Sequence, residues 1–346
     1  MRLRRRGVLG LGLGGVGALA LAGAHHVLAR TPGSDELVDI TVRATPIPTF
    51  APREPEQRRF GSLSFRSGVV LSSDEPGFGG LSALWRSADG ASLVAVSDKA
   101  QWLTGTVTYA DGRLAGLGGV RMAPILGADG EPLRRGPAYD TESLAMADGV
   151  AYVGIERVHE VRRFAWARDG VQARGEPVAI PDEVKRIVPS NDSFEAVAVA
   201  PLAHPLAGSV IAIAENLRTG DDGPTRGWVL TGDRRFGFDV ARSNGFDITD
   251  LAFLPTGEAL LLERRFRVLT GVACRIRRIS RDAFRPDAPL DGPTIFEAAS
   301  GHEIDNMEGL AIHRDGAGGQ LVVTLLSDNN FSLLQRTLLL EFALDA

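Results

Sequence analysis

Cysteine is almost absent from this chain: Cys274 is the single one in 346 residues. A lone cysteine forms no internal disulfide and cannot anchor a Cys/His metal cluster. Its neighbours, Gly271-Val-Ala-Cys-Arg-Ile-Arg277, alternate like a strand and place it as a small buried residue. Lysine is nearly as scarce, with Lys99 and Lys185 the only two. The formal charge is −5, and four arginines lie within the first six residues, so the remainder is more acidic still. That balance argues against nonspecific electrostatic binding to nucleic acid or to an anionic membrane surface. No Gly-x-Ser-x-Gly nucleophile elbow occurs, and Ser82 in Gly80-Leu-Ser-Ala-Leu84 has only half of that pattern. No glycine-rich phosphate loop precedes a helix. No convincing amphipathic helix is present, although Asp182-Glu-Val-Lys-Arg-Ile-Val188 could form a short one.

The first segment reads as an address. Met1-Arg-Leu-Arg-Arg-Arg6 is basic, Gly7 to Ala24 is apolar but glycine-rich, and Val27-Leu-Ala29 offers small residues for cleavage. Paired arginines before a weakly apolar stretch predict a twin-arginine-like export signal over residues 1–29 and a periplasmic or secreted protein. An uncleaved anchor is the alternative; no other segment is apolar enough to span a membrane. Residues 30–59 are Pro-rich and polar, with one strand-like piece, Leu37-Val-Asp-Ile-Thr-Val-Arg43.

What the rest of the chain has is a repeat. A short apolar strand starts at an acid, turns, and a second apolar strand ends at an acid. The copies are Glu142-Ser-Leu-Ala-Met with Ala151-Tyr-Val-Gly-Ile-Glu156, and Glu195-Ala-Val-Ala-Val with Val210-Ile-Ala-Ile-Ala-Glu215. Two more are Asp250-Leu-Ala-Phe-Leu with Ala259-Leu-Leu-Leu-Glu263, and Glu308-Gly-Leu-Ala-Ile with Leu321-Val-Val-Thr-Leu-Leu-Ser-Asp328. A fifth, Ser82-Ala-Leu-Trp with Leu93-Val-Ala-Val-Ser-Asp98, begins with serine. The leading residues are 60, 53, 55 and 58 positions apart. Four antiparallel strands in such a period make one propeller blade. Residues 60–346 are therefore expected to form an all-β domain: a β-propeller of five four-stranded blades, or six if Leu37–Arg43 starts another. N- and C-terminal strands close it, with Arg336–Ala343 beside Gly61–Leu71. An open β-sandwich is the competing architecture.

Antiparallel pairing puts each leading acid near its trailing acid. In a propeller the first strands line the central channel, so all pairs would open on one face. Glu142, Glu195, Asp250 and Glu308, facing Asp98, Glu156, Glu215, Glu263 and Asp328, would crowd like charges that need a counter-ion. Oxygen ligands on loops suit Ca²⁺, with other divalent cations open. Asp140, Asp192, Asp247, Asp305, Asn191, Asn306, Asn329 and Asn330 add oxygens nearby. Basic groups follow the trailing acids: Lys99, Arg157, Arg218, Arg264 and Arg265. Such a mouth suits a small anionic ligand such as a phosphoester. Turn caps and structural salt bridges would account for the same residues without a ligand. Of the histidines, His302 lies in a loop before a first strand and is the candidate general base, followed by His159; His204 and His313 are placed on outer turns.

Blocks along the chain carry a resemblance. Gly79-Gly-Leu-Ser-Ala-Leu-Trp85, Val96-Ser-Asp98, Asp140-Thr-Glu-Ser-Leu-Ala145, Phe194-Glu-Ala-Val-Ala198, Leu262-Glu-Arg-Arg265, Asn306-Met-Glu-Gly-Leu-Ala-Ile312 and Ser327-Asp-Asn-Asn330 occur in order. Over Phe60 to Phe342 the chain resembles the bacterial family named for the esterase-like activity of phytase, the phytase-like domain. The resemblance implies a secreted β-propeller that hydrolyses ester or phosphoester bonds. The lysine-rich phosphate site of calcium-dependent propeller phytases is not seen, so arginine would replace it. The combined expectation is a monomeric, exported, metal-dependent hydrolase of phosphoesters or other esters. Arg157, Arg264 or Arg265 would stabilise developing charge, and His302 or a channel carboxylate would act as base. A calcium-dependent lactonase is a variant, and a non-catalytic ligand- or protein-binding propeller is the rival.

Overall fold

The computed structural model describes residues 34–136, 139–185, 194–216, 223–316 and 319–345. The expected export signal, Asn191, Asp192 and Arg218 lie outside the described residues. No helix among the described residues is long and apolar enough to cross a membrane.

The repeat becomes five sheets, antiparallel except where the two-residue strand Leu126–Gly127 joins the outer edge of blade 2 in parallel. Their innermost strands are Leu81–Arg86 in blade 1, Thr141–Ala147 in blade 2, Phe194–Val199 in blade 3, Asp247–Phe253 in blade 4 and Asn306–Arg314 in blade 5. Each packs on the inner strands of the preceding and following blades, and blade 5 packs on blade 1, which closes the ring. Second strands such as Val210–Ala214 are buried along their whole length. Residues sandwiched between neighbouring sheets need apolar side chains on both faces, which accounts for near-continuous apolar runs instead of alternation.

Closure follows the expected route. Leu63–Ser73 pairs antiparallel with Thr337–Leu344 and supplies blade 5 with its fourth strand. The sixth-blade alternative does not hold: Val42–Ile47 adds to the outside of Leu63–Ser73, and Val38–Asp39 adds to the outer edge of blade 1. The short helix expected after Asp182 is present at Asp182–Lys185.

Each blade interface has its own apolar cluster. Leu260, Leu262, Cys274 and Phe296 of blade 4 meet Leu310, Leu325, Leu340 and Phe342 of blade 5. Comparable clusters join blades 3 and 4, 5 and 1, 1 and 2, and 2 and 3. Cys274 is fully buried there, and burial pushes its thiol up to about 12. Side-chain bonds stitch the inner strands as well. Thr141 donates to the Ser97 carbonyl at 2.6 Å, and Ser143 donates to the Phe194 carbonyl at 2.9 Å. The approach of blades 2 and 3 is so close that a Cβ on Gly154 would lie 2.9 Å from the Phe194 carbonyl oxygen. His313 departs from the outer-turn expectation. It sits at the end of the blade 5 inner strand, buried beside Glu341, with Arg86 of blade 1 paired to the same carboxylate at 3.0 Å.

Candidate functional site

One irregularity recurs in all five blades. The inner strand skips one residue against the second strand, and the skipped residues are Ser82, Glu142, Glu195, Thr249 and Glu308. A bulge of this kind locally re-aims a side chain, and such bulges are enriched beside active sites. Across from each bulge, the residue one beyond the partner of the position just before the bulge is Asp98, Glu156, Glu215, Arg264 or Asp328. Four blades therefore present a carboxylate at the end of the second strand, and the fourth blade presents a guanidinium.

Blade 4 corrects the sequence reading. Asp250 and Glu263 each stand one residue away from the position that faces the mouth, and a one-residue step in a strand turns the side chain to the other face. Asp250 accepts from the backbone N–H of Leu251 and of Leu310, both at 2.7 Å, so it ties blade 4 to blade 5. Burial holds its carboxyl well above the usual range. Glu263 is fully buried and bridges Arg275 and Arg277 at 2.7 and 2.8 Å. Neither joins the mouth; Thr249 and Arg264 occupy those positions.

The remaining acids converge. Asp140, Glu142 and Glu156 have oxygens within 4.8 Å of one another, and so do Glu156, Glu195 and Glu215. Glu156 belongs to both groups, so two cation-sized clusters share one carboxylate. Either cluster could hold a metal ion, and the donor set is oxygen only, which suits a hard divalent cation. Glu142, Glu195 and Glu308 are all pushed well above the ordinary carboxylate range, first by burial and then by neighbouring carboxylates. The neighbours acting on Glu142 are Glu195, Asp140, Glu308 and Asp98, from four different blades. Asp328 is pushed up to about 7 by burial and then by Asp98. Crowding of this order is what a bound cation or bound protons must offset.

Three cations ring the acids. Arg264 reaches Glu215 at 3.1 Å, Glu308 at 3.6 Å and Asn306 Oδ1 at 3.0 Å. Asn306 donates to Glu308 at 2.6 Å, which fixes that carboxylate. Arg157 donates to Asp140 at 2.6 Å and lies over the Tyr139 ring. Lys99 pairs with Asp98 at 2.7 Å and lies over Phe331. Gly80 closes this corner: its N–H donates to Asn329, and at φ +59 its absent Cβ leaves room for the Asp98 carboxylate, which would otherwise lie 2.1 Å away.

Other candidates fall elsewhere. Arg265 turns away from Arg264 and lies over Phe246, with a bond to the Asn244 carbonyl. His302 stacks on Phe50, meets Phe60 edge-on and shares its Nδ1 with the Ala299 backbone, so its ring is held in an aromatic pocket and is not presented to the acids. Asp247 pairs with Arg242. Asp305 accepts from the Arg336 backbone. His159 is buried in the turn after Glu156, at φ +50.

Residues 76–331 match the profile of the phytase-like family, described as esterase-like activity of phytase. The chain belongs to this family. The matched span starts just before blade 1 and ends at Phe331, so it contains every mouth residue of the phytase-like chain. No curated protein matches it. Among solved structures, a nidogen/laminin complex is similar at a TM-score of 0.38 and 8% identity, covering 77% of this chain and 87% of the other; a likeness that weak carries no argument. The family description points to hydrolase-type chemistry.

Proposed function

We propose that this phytase-like propeller is an exported, divalent-cation-dependent hydrolase of phosphoesters or other esters, acting at the acidic mouth. The observation that carries the reading is the pair of carboxylate clusters sharing Glu156, edged by Arg264, Arg157 and Lys99. Asp140, Glu142, Glu156, Glu195 and Glu215 would hold one or two cations, Ca²⁺ first because flexible oxygen donors suit its coordination. A bound divalent cation supplies Lewis-acid polarisation of an ester or phosphoryl oxygen.

The side chains do the rest. Arg264 is placed to take a substrate anion in bidentate fashion on the side of blades 3 to 5. Arg157 and Lys99 offer positive charge on the opposite side, where they would stabilise oxygen charge that develops as water adds and the ester bond breaks. Asp328, with its pKa near 7, matches a group that accepts a proton from water at neutral pH and returns it to the leaving oxygen. It takes the base role that the sequence suggested for His302.

A panel of 4-nitrophenyl phosphate, bis-phosphate, acetate and a simple lactone tests the reading with Ca²⁺, Mg²⁺ or EDTA present. Turnover that requires a divalent cation and falls at least a hundredfold in Glu156→Gln supports it. Absence of turnover on every substrate, together with tight cation-dependent binding of phosphate, favours a binding propeller instead.

A further inference from the structure

Above the rim of the mouth the protein exposes apolar side chains where turns ordinarily carry polar ones. The second strand of blade 4 runs on past Arg264 and stays paired with the third strand through Arg267↔Gly271. Three extra residues at ~3.3 Å each lift the turn about 10 Å beyond Arg264. Blades 1 and 2 turn back at once, from Ser97 to Gln101 and from Ile155 to Glu160. The raised hairpin carries Phe266, 68% exposed, and Val268 and Leu269 at its tip, 88% and 96% exposed. In blade 5 the connection after Asp328 also leaves from the mouth face, and it carries Leu333 and Leu334, both exposed by 94% or more. Blades 4 and 5 are neighbours in the ring. Single exposed apolar residues are ordinary on a protein surface, but five on two adjacent loops of one face are not.

We infer that these two loops dock the protein onto a phospholipid surface, with the mouth turned toward the headgroups. Two neighbouring convex tips at the edge of a polar mouth fit a deformable planar interface, and a rise of about 10 Å matches the 5–10 Å depth to which interfacial apolar groups insert. Arg265 and Arg267 stand at the base of the hairpin. Both guanidiniums bond the Asn244 carbonyl, a neutral acceptor, at 3.1 and 3.0 Å, and among the described residues neither forms a salt bridge. They are therefore available to headgroup phosphates. The acidity of the chain opposes a purely electrostatic attachment, but insertion of apolar tips does not depend on net charge. Docking stands whether or not the mouth performs hydrolysis.

The test is co-sedimentation of the intact protein with vesicles of phosphatidylcholine, alone and with phosphatidylglycerol, in Ca²⁺ or EDTA. Wild type is expected in the pellet, and V268S/L269S/L333S/L334S is expected to partition at least tenfold less with an unchanged melting temperature. Leu202 is 95% exposed on the blade 3 turn between Val199 and Val210, at the opposite face, so Leu202→Ser should sediment like wild type. The inference is overturned if wild type stays in the supernatant with both vesicles, if the quadruple variant still sediments, or if L202S loses as much as the tip variant. It is also overturned if the tip substitutions change the mass in solution and leave vesicle binding alone, since the loops would then join two copies of this chain.

Discussion

Replacing Glu156 by Gln should uncouple the thermal stability of the propeller from divalent cations. Glu156 is buried and is the one carboxylate common to both oxygen clusters, so a single neutralisation weakens both. A cation that binds only the folded state at a hundred times its Kd adds about 2.7 kcal/mol. Unfolding entropy of ~2.1 cal/mol/K per residue over the unit Gly33–Ala346 amounts to roughly 0.65 kcal/mol/K, so the wild-type melting temperature should rise by roughly 4 °C. The variant's shift should fall below about 1 °C. Without metal the sign reverses: removing one of several crowded buried charges should leave Glu156→Gln at or above the wild-type melting temperature. Differential scanning calorimetry after EDTA treatment, with and without millimolar CaCl₂, MgCl₂ or MnCl₂, reads both effects. A wild type with no shift in any of the three salts, or a Glu156→Gln variant that keeps the full shift, would refute a shared cation site at Glu156.

Glu263→Gln should cost about 3–5 kcal/mol in urea denaturation, because it leaves buried Arg275 without a carboxylate and Arg277 with Asp291 alone; a loss under 1 kcal/mol would contradict the structural role of Glu263. Arg264→Gln should lower kcat/KM for a phosphoester by about ten- to a hundredfold, the range expected for a charge-assisted bond, and Arg264→Lys should recover only part of it because the fork is lost. Burial, and then Arg86 and Arg66, push the His313 imidazole from its ordinary 6.5 down to about 3, with Asp315, Asp89 and Glu341 also facing it. The unfolded chain therefore binds the proton more tightly. Stability is full above pH 6.5 and drops as pH falls through 6.5 toward 3, and His313→Gln should flatten that limb in melting temperatures measured across the range.

The architecture was legible because it is repeated. Strand pairs, their period and the closure by both ends all follow from apolar runs, and runs of that kind report burial between sheets directly. The site was half legible. Seven of the acids expected at the mouth are there, but in blade 4 the acids themselves set the register, and that choice was off by one. A better anchor was present: Leu144-Ala145, Leu251-Ala252 and Leu310-Ala311 occupy the same position in three blades, two residues after Glu142, Thr249 and Glu308. Alignment on packing residues would have placed Thr249 and Arg264 at the mouth and sent Asp250 and Glu263 inward. Packing fixes register more strictly than charge does, since a buried strand cannot slip without exposing its core face. Neither His302 in its aromatic pocket nor the exposed turn at Val268 and Leu269 could be read this way. Both depend on which loops meet, and loop residues carry no period.

The strand that completes blade 5 has a consequence for how the chain is made. Leu63–Ser73 emerges from the ribosome long before its partner Thr337–Leu344. Until then one sheet edge of backbone N–H and C=O groups stays open, flanked by apolar Val69, Leu71 and Phe65. Pairing across so long a separation delays the final folding step and favours aggregation in the interval. Chains cut short before Thr337 would therefore be caught with the ring ajar, and any helper that shields Leu63–Ser73 during synthesis would raise the yield of closed protein more than it changes its final stability.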